Sequence, residues 1–201
     1  MKTIFLDIDS QLDFLYPSGA LYVPGAEKIV DNIGRLNRYA AGHDIPVIST
    51  VDAHTENDPE FNVWPHHCVA GTTGQHKAEA TLLPRRVIVP NRPGEVAIDG
   101  AQQIIVEKQT VDVFQAANLE RVIAHLGGER FVVYGVVTEI CVLWAMRGLM
   151  RLGKRATLVS DAVASLTSQG SIAAVEEMLS AGVTLCLAAD LPNLDIAKHH
   201  D

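Results

Sequence analysis

The sequence predicts an α/β fold, a three-layer sandwich in which a six-stranded, mostly parallel sheet is flanked by helices. Short apolar runs alternate along the chain with segments that carry apolar residues at helical spacing. Ala, Val, Ile and Leu dominate the composition, whereas aromatic residues make up only 5% of the chain. This composition is typical of strands that are buried on both faces. Strands and helices in this alternation imply parallel strands joined by right-handed crossovers.

The individual elements are predicted from the position and length of the apolar runs. Strands are predicted for residues 3–8, 45–51, 103–107, 130–137, 155–160 and 183–187, and helices for 25–42, 119–126, 141–152 and about 169–181. Each helix is followed or closed by a glycine, the residue that most readily adopts the left-handed conformation common at a helix end.

Residues 52–93 lack regular periodicity and contain five prolines and four of the eight histidines. A segment of this length without periodic structure is typical of a functional excursion. We therefore expect it to belong to the same domain as the rest of the chain, a single domain that spans residues 1–201. The terminal residues 198–201, Lys-His-His-Asp, are left out of the site analysis because such a tail can be a processing or expression remnant.

Composition excludes several classes of function. The net charge of −8 provides no basic surface for nucleic acid or anionic lipid. No apolar run approaches the roughly 20 residues that cross a bilayer, and the first run is too short for a secretory signal. The three cysteines form no C-x-x-C pair, which favours a reducing compartment. We expect a soluble cytoplasmic protein with a small-molecule substrate and neither nucleic acid nor membrane as a partner.

Reactive side chains follow the first four predicted strands. They are Asp9, Asp52 with His54, Lys108, and Cys141 in the segment after the fourth strand. Because the binding crevice of an open parallel sheet lies beyond the carboxyl ends of its strands, we expect these side chains to meet there.

Cys141 is the candidate nucleophile, since it lies at the start of a predicted helix, where the positive end of the helix dipole favours a thiolate. Asp9 is the candidate base, and Lys108 is a cation able to stabilise an ionised partner. Each also has a structural interpretation, because cysteines are often buried as small apolar residues and strand-end Asp and Lys are often paired or solvated. Their coincidence at neighbouring strand ends favours nucleophilic catalysis, whereas Cys68 and Cys186 are interpreted as structural.

Oxygen and imidazole donors are concentrated in residues 52–67. They are Asp52, His54, Glu60, His66 and His67. An Asp-x-His pair directly after a strand lets two ligands share one site, and mixed donors of this kind admit zinc, manganese or iron. Spacing alone does not decide between His66 and His67, nor between a metal site and a polar loop with uncoordinated histidines.

Two aromatic side chains lie near these groups in the sequence. Phe14 follows Asp9 by five residues, and Trp64 precedes His67 by three. Each offers a flat apolar surface that either sandwiches the ring of a ligand or fills the core, and the residues alone favour the core.

Residues 9–14 read D-S-Q-L-D-F and residues 135–142 read G-V-V-T-E-I-C-V. These segments resemble the D-x-Q-x-D-F and G-V-x-T-x-x-C-V motifs of the cysteine hydrolase superfamily that includes isochorismatase-like proteins and nicotinamidases. The resemblance covers nearly the whole chain. It implies a catalytic triad of Asp9 as base, Lys108 and the nucleophile Cys141. It also implies a cis peptide bond between Val136 and Val137, and an oxyanion hole formed by the backbone N–H groups of Val137 and Cys141.

Residues 52–54 (D-A-H) and 64–68 (W-P-H-H-C) resemble two further motifs, D-x-H and W-P-x-H-C, of the nicotinamidase and pyrazinamidase branch. That branch carries a divalent metal beside the triad. The resemblance implies one metal ion, zinc in preference to iron or manganese, and pyridine-flanking roles for Phe14 and Trp64. The implied ligands are Asp52, His54, His67 and Glu60, with Asp58 as the alternative to Glu60.

The segment after Lys108, residues 109–114 (Q-T-V-D-V-F), departs from the family pattern. It lacks the Tyr and Gly residues of several nicotinamidases in a region that forms part of the family's substrate pocket. The resemblance therefore implies a nicotinamidase acting through a cysteine thioester, with an isochorismatase-family hydrolase of another small amide or related substrate as the alternative. It also implies a homo-oligomer.

Two other classes of function remain open. In a metallohydrolase, metal-bound water would be the nucleophile and Cys141 a bystander. A non-catalytic binding domain is also compatible with the fold, since fold does not fix function. The presence of Asp9, Lys108 and Cys141 together disfavours the binding domain.

Overall fold

The computed structural model describes residues 1–193, and a parallel sheet forms its centre. The seven strands within these residues are β1 (Thr3–Ile8), β2 (Val47–Asp52), β3 (Arg86–Val89), β4 (Gln103–Lys108), β5 (Arg130–Val136), β6 (Arg155–Ala164) and β7 (Thr184–Cys186). Their order is β3-β4-β2-β1-β5-β6-β7, with every neighbouring pair parallel. The predicted α/β fold class is confirmed, with seven strands instead of six. Residues 198–201, which the sequence analysis set aside, and the end of the predicted domain lie outside the described part.

The additional strand, β3, lies at the edge of the sheet inside the segment that showed no periodicity. It has only four residues, and Pro84 and Pro90 lie close to its two ends. Ile88 is 60% exposed. An edge strand that is exposed on one face lacks the doubly buried pattern by which the other strands were predicted.

Helices cover both faces of the sheet. They are α1 (Leu12–Leu15), α2 (Val30–Gly42), α3 (Leu119–Leu126), α4 (Leu143–Arg151) and α5 (Ser168–Ser180). Ile33 and Leu36 of α2 pack in one apolar layer, which includes Phe5. Helices α3, α4 and α5 contribute to the opposite layer, which includes the neighbouring strand residues Ile4 and Leu6. Within residues 1–193, no helix has the length and apolar character needed to cross a membrane.

The strand order determines which strand ends lie next to one another at the edge of the sheet. Because β4, β2, β1 and β5 are adjacent, their carboxyl ends form one continuous edge. Residues 74–78 fold back over this edge, where backbone hydrogen bonds join Ala78 N–H to Ser10 O, Leu12 N–H to His76 O and Asp13 N–H to Gly74 O. The irregular segment thereby closes over the end of β1.

Candidate active site

Three side chains from different strand ends meet around a buried lysine. Lys108 Nζ lies 2.9 Å from Asp9 Oδ2 and 3.9 Å from Cys141 Sγ. It also lies 2.5 Å from Asp52 Oδ1. Lys108 and Asp9 are fully buried, and Cys141 is 7% exposed. The structure therefore brings together the base, cation and thiol singled out in the sequence.

Asp9 is held immediately after β1 in a left-handed backbone conformation, with φ of +48°. Its N–H donates to Thr50 O, and the Thr50 hydroxyl donates to Asp9 Oδ1 at 2.6 Å. One carboxylate oxygen is thus fixed by Thr50 while the other faces Lys108. Burial raises the pKa of Asp9 above its ordinary value, against the opposing effect of the Lys108 ammonium. A raised pKa makes the carboxylate a stronger proton acceptor than an exposed aspartate.

Cys141 lies in a wide helical turn, Thr138–Val142, that joins β5 to α4. The peptide bond between Val136 and Val137 at the start of this connection is cis. Hydrogen bonds from Ile140 N–H and Val142 N–H to Val137 O close the turn. Cys141 thus lies 3.9 Å from Lys108 Nζ, although β2 and β1 separate their strands, β5 and β4, in the sheet.

The protonation of Cys141 differs from the expectation that the helix dipole favours a thiolate. Burial raises the thiol pKa well above its ordinary value, although the Lys108 ammonium acts in the opposite direction. Desolvation of the thiolate therefore outweighs the cation and the helix terminus in the described structure. A thiol that is protonated at rest requires a base, and Asp9 is the nearby acceptor.

Asp52, His54 and His67 form a second buried group beside the triad. One potential ligand atom from each lies within 4.8 Å of the other two. His67 Nδ1 lies 2.7 Å from Pro65 O, so it carries the proton and leaves the lone pair on Nε2, which is 3.7 Å from Asp52 Oδ2. His54 Nε2 is buried without a hydrogen-bond partner. An orphaned imidazole nitrogen beside a carboxylate and a second imidazole fits a borderline divalent cation.

The charged side chains around Asp52 and His54 shift the pKa values of both residues. Although burial opposes ionisation, Lys108 and the imidazoles of His54 and His67 hold the pKa of Asp52 below its usual range. Burial lowers the pKa of His54, but Asp52 and Asp58 outweigh it and raise that pKa. Asp52 therefore remains ionised in contact with both the lysine and the candidate metal ligands.

The remaining candidate ligands lie outside the group of Asp52, His54 and His67. His66 is exposed, and its ring stacks on Phe61 at a centroid distance of 4.1 Å. Asp58 Oδ2 lies 3.1 Å from His54 Nδ1, within ion-pair distance but without hydrogen-bond geometry. Glu60 is half-buried and lines the pocket beside Asp52 and His67, outside the compact three-residue group. Among the described residues, Glu60 and not Asp58 is the free carboxylate that faces the pocket.

A pocket opens beside the triad and the Asp52 group. It is lined by Phe14, Leu21, Asp52, Glu60, Trp64, His67, Val111, Val137, Ile140, Cys141 and Leu166. Phe14 lines the pocket and is also buried in the apolar layer that includes Phe5, as the residues alone had favoured, whereas Trp64 is half-buried and lines the pocket. The aliphatic residues give the pocket a largely apolar surface suited to a flat, uncharged molecule. Val111 comes from the segment that departs from the family pattern.

Sequence reasoning missed three polar residues that hold the site in place. Thr50 donates to Asp9, as described above. Gln11 hydrogen-bonds the backbone of Asp52. The Asp13 carboxylate accepts from Cys68 N–H at 2.7 Å and from Ala20 N–H at 2.9 Å. A signal was present for Gln11 and Asp13, because four of residues 9–14 are polar although they directly follow the buried strand β1, and all four are buried.

Comparison with known proteins agrees with this geometry. Residues 3–190 match the model of the isochorismatase domain. The chain is 26% identical over 197 residues to a nicotinamidase of Acinetobacter baylyi, with 88% of each chain covered. It is 24% identical to a nicotinamidase of Escherichia coli, covering 91% of this chain and 93% of the relative. The crystal structure of a pyrazinamidase of Pyrococcus horikoshii in complex with zinc has a TM-score of 0.80 at 26% identity, covering 93% of this chain and 99% of that one.

Proposed function

Since the chain belongs to the isochorismatase domain family, we propose that it is a metal-containing cysteine amidohydrolase, a nicotinamidase that converts nicotinamide and water to nicotinic acid and ammonia. The resemblance to the nicotinamidase branch is confirmed by the family match and the curated relatives. The observation that carries the proposal is the contact of Lys108 Nζ with both Asp9 Oδ2 and Cys141 Sγ, next to an apolar pocket that Cys141 lines.

The acylation half of the reaction uses Asp9 and Cys141. Asp9 accepts the thiol proton, and the sulfur forms a bond to the amide carbonyl carbon. The backbone N–H groups of Val137 and Cys141 donate to the resulting oxyanion. Asp9 then returns the proton to the amide nitrogen, the C–N bond breaks, and ammonia leaves a thioester on Cys141.

The deacylation half reverses these roles for water. Asp9 removes a proton from water, whose oxygen forms a bond to the thioester carbonyl carbon. The C–S bond breaks, the thiolate regains the proton from Asp9, and the carboxylic acid is released. In both halves negative charge passes between Asp9 and the sulfur. Lys108, within 3.9 Å of both groups, stabilises either charged state.

Asp52, His54, His67 and the pocket-facing Glu60 are the residues that would hold one divalent ion. The unpartnered His54 Nε2 and the compact group of three ligand atoms support this assignment. An ion held there, zinc or alternatively iron or manganese, would supply Lewis-acid stabilisation for the ring nitrogen of a pyridine amide. Phe14 and Trp64 would flank the ring and keep the carbonyl carbon near Cys141.

A hydrolase of another small amide is the second candidate, and the pocket wall favours it. Val111 lies in residues 109–114, the segment without the Tyr and Gly residues of several nicotinamidases. A different wall changes which substituents the pocket accepts, while the same triad performs the same chemistry.

The test is ammonia release from nicotinamide by three preparations: the protein as isolated, the protein treated with iodoacetamide, and the metal-stripped protein. Release that is lost on alkylation supports the cysteine amidohydrolase, and the metal-stripped rate then measures what the ion contributes. Release that survives alkylation but stops on metal removal supports a metallohydrolase instead. No release from metal-loaded protein, followed by turnover of another amide in a panel, supports the second candidate. No turnover of any amide leaves a binding domain.

We also propose a single-domain, cytoplasmic enzyme that forms homo-oligomers and has no nucleic-acid or membrane partner. The three cysteines are free and buried, which suits a reducing compartment, and the charge of −8 disfavours polyanions. Light scattering coupled to size-exclusion chromatography tests the oligomer, since a monomeric mass contradicts it.

A further inference from the structure

The end of β2 extends beyond the strand that pairs with it. The paired register of β1 with β2 ends at Asp7 and Ser49, and the last backbone bond across this edge joins Asp9 N–H to Thr50 O. Asp52 is two residues further along β2. On its other side β2 continues to pair with β4, where Ala53 N–H donates to Lys108 O. The backbone N–H and C=O of Asp52 therefore require partners on the side that β1 has left.

The side chain of Gln11 supplies both partners. Its Oε1 accepts from Asp52 N–H at 2.7 Å, and its Nε2 donates to Asp52 O at 2.8 Å. The same Nε2 donates to Gln75 O at 2.7 Å, and the whole side chain is buried. One amide thus replaces the missing peptide group of a neighbouring strand. It also ties β2 to the irregular segment that closes over the site.

Asp52 is the residue at which the triad and the candidate metal ligands meet. Its Oδ1 lies 2.5 Å from Lys108 Nζ, and its Oδ2 lies 3.7 Å from His67 Nε2. A shift of the Asp52 backbone would move this carboxylate relative to the imidazoles. We infer that Gln11 is a positioning residue that fixes Asp52 for metal binding, an inference that rests on the metal site of the proposed function.

A matched control is present in the same sheet. Gln103 is also fully buried, and its amide also makes three hydrogen bonds, to Ser49 Oγ, Thr81 O and Leu83 N–H. It lies at the first position of β4, opposite Val47, at the other end of β2 from Asp52. Removal of its amide should cost similar stability because the same kinds of buried bonds are lost.

The experiment compares Gln11→Met and Gln103→Met, in which an apolar side chain of similar length replaces the amide. Zinc affinity is measured by competition with a chelating indicator, and thermal unfolding is followed on the metal-free proteins. We expect a zinc Kd about 10-fold to 100-fold higher for Gln11→Met, as for other residues that orient metal ligands. Gln103→Met should remain within about twofold of wild type, while both variants lose similar thermal stability.

Gln11→Glu provides a second variant that keeps the shape of the side chain. It retains an acceptor for Asp52 N–H but places a carboxylate oxygen against Asp52 O and Gln75 O, so we expect a rise in zinc Kd at least as large as for Gln11→Met. Wild-type zinc affinity in both Gln11 variants, or an equal loss in Gln103→Met, overturns the inference and leaves the proposed function standing. A wild-type protein that binds neither zinc nor iron nor manganese overturns the proposed metal site as well.

Discussion

Two buried lysines lie within residues 1–193, each paired with an aspartate from the same stretch of chain. Lys108 pairs with Asp9 at 2.9 Å, and Lys77 pairs with Asp7 at the same distance. Both aspartates are fully buried, and only one residue separates them. The two ion pairs are therefore close matches in residue type, distance and burial, and they differ in what surrounds them.

The Lys77–Asp7 and Lys108–Asp9 ion pairs differ in the side chains that contact them. Lys77 Nζ also donates to Ser10 Oγ at 2.6 Å, and the same Asp7 oxygen accepts from Asn37 Nδ2 and Ser49 Oγ at 3.1 Å. These hydroxyl and amide partners hold strand and loop together without a group that can react. Lys108 instead contacts a second carboxylate, that of Asp52, and the thiol of Cys141, which lines the pocket. The proposed function assigns chemistry to the Lys108 pair alone, because only there does a candidate nucleophile share the cation.

Replacement of the nucleophile should have the largest effect. We expect Cys141→Ala to lower the rate of ammonia release at least about 10⁴-fold, because no thioester can form. Its zinc content should match wild type, since the sulfur lies outside the Asp52, His54 and His67 group. Cys186→Ala is the control, because burial raises the pKa of that thiol to about 11 and it lies on β7. Activity of Cys141→Ala within tenfold of wild type would show that water, and not the thiol, attacks the substrate.

The two lysines should respond differently to the same substitution. Lys108→Met and Lys77→Met each leave a buried carboxylate without its cation, so each should lose about 3–5 kcal/mol of unfolding free energy. Only Lys108→Met should also lower kcat of the folded protein, by about 10²-fold to 10³-fold, because it removes a charge beside the reacting groups. Urea unfolding and steady-state kinetics on the same samples separate the two effects. An equal fall in kcat for Lys77→Met would contradict the prediction that only the Lys108 ion pair contributes to catalysis.

The histidines extend the comparison from the ion pairs to the metal site. His54→Ala should lose most of its bound zinc and raise KM, because the unpartnered His54 Nε2 faces the Asp52 group. The exposed, stacked His66 is the matched control, and His66→Ala should keep its zinc. Metal analysis of dialysed protein gives the stoichiometry, and far-UV circular dichroism checks the fold. Full zinc occupancy in His54→Ala would remove this residue from the ligand set.

The contrast between the two ion pairs also shows what the sequence can predict. Asp9, Lys108 and Cys141 follow predicted strands, and the topology of a parallel sheet brings strand ends together, so their meeting follows from pattern alone. Asp7 and Lys77 pair across 70 residues through a segment without periodicity, and no local pattern marks such a contact. The edge strand β3 was missed because its exposed face lacks the doubly buried pattern, and the amide of Gln11 was missed because its role depends on which backbone groups of β2 lack a neighbour. The choice between His66 and His67 likewise depends on side-chain orientation.

The smallest effect is expected from removal of the Thr50 hydroxyl, which hydrogen-bonds Asp9 from the adjacent strand β2. The Thr50 hydroxyl donates to Asp9 Oδ1 at 2.6 Å, opposite the oxygen that faces Lys108. Thr50→Val keeps the shape but removes this bond to a charged group, which contributes about 1.5–3 kcal/mol. If about half of that is lost from the transition state, kcat/KM falls roughly tenfold. Ser49→Ala, which removes the hydroxyl bonded to Asp7, should lower stability and leave kcat/KM unchanged. A fall in kcat/KM for both variants would mean that the two carboxylates are coupled through the sheet.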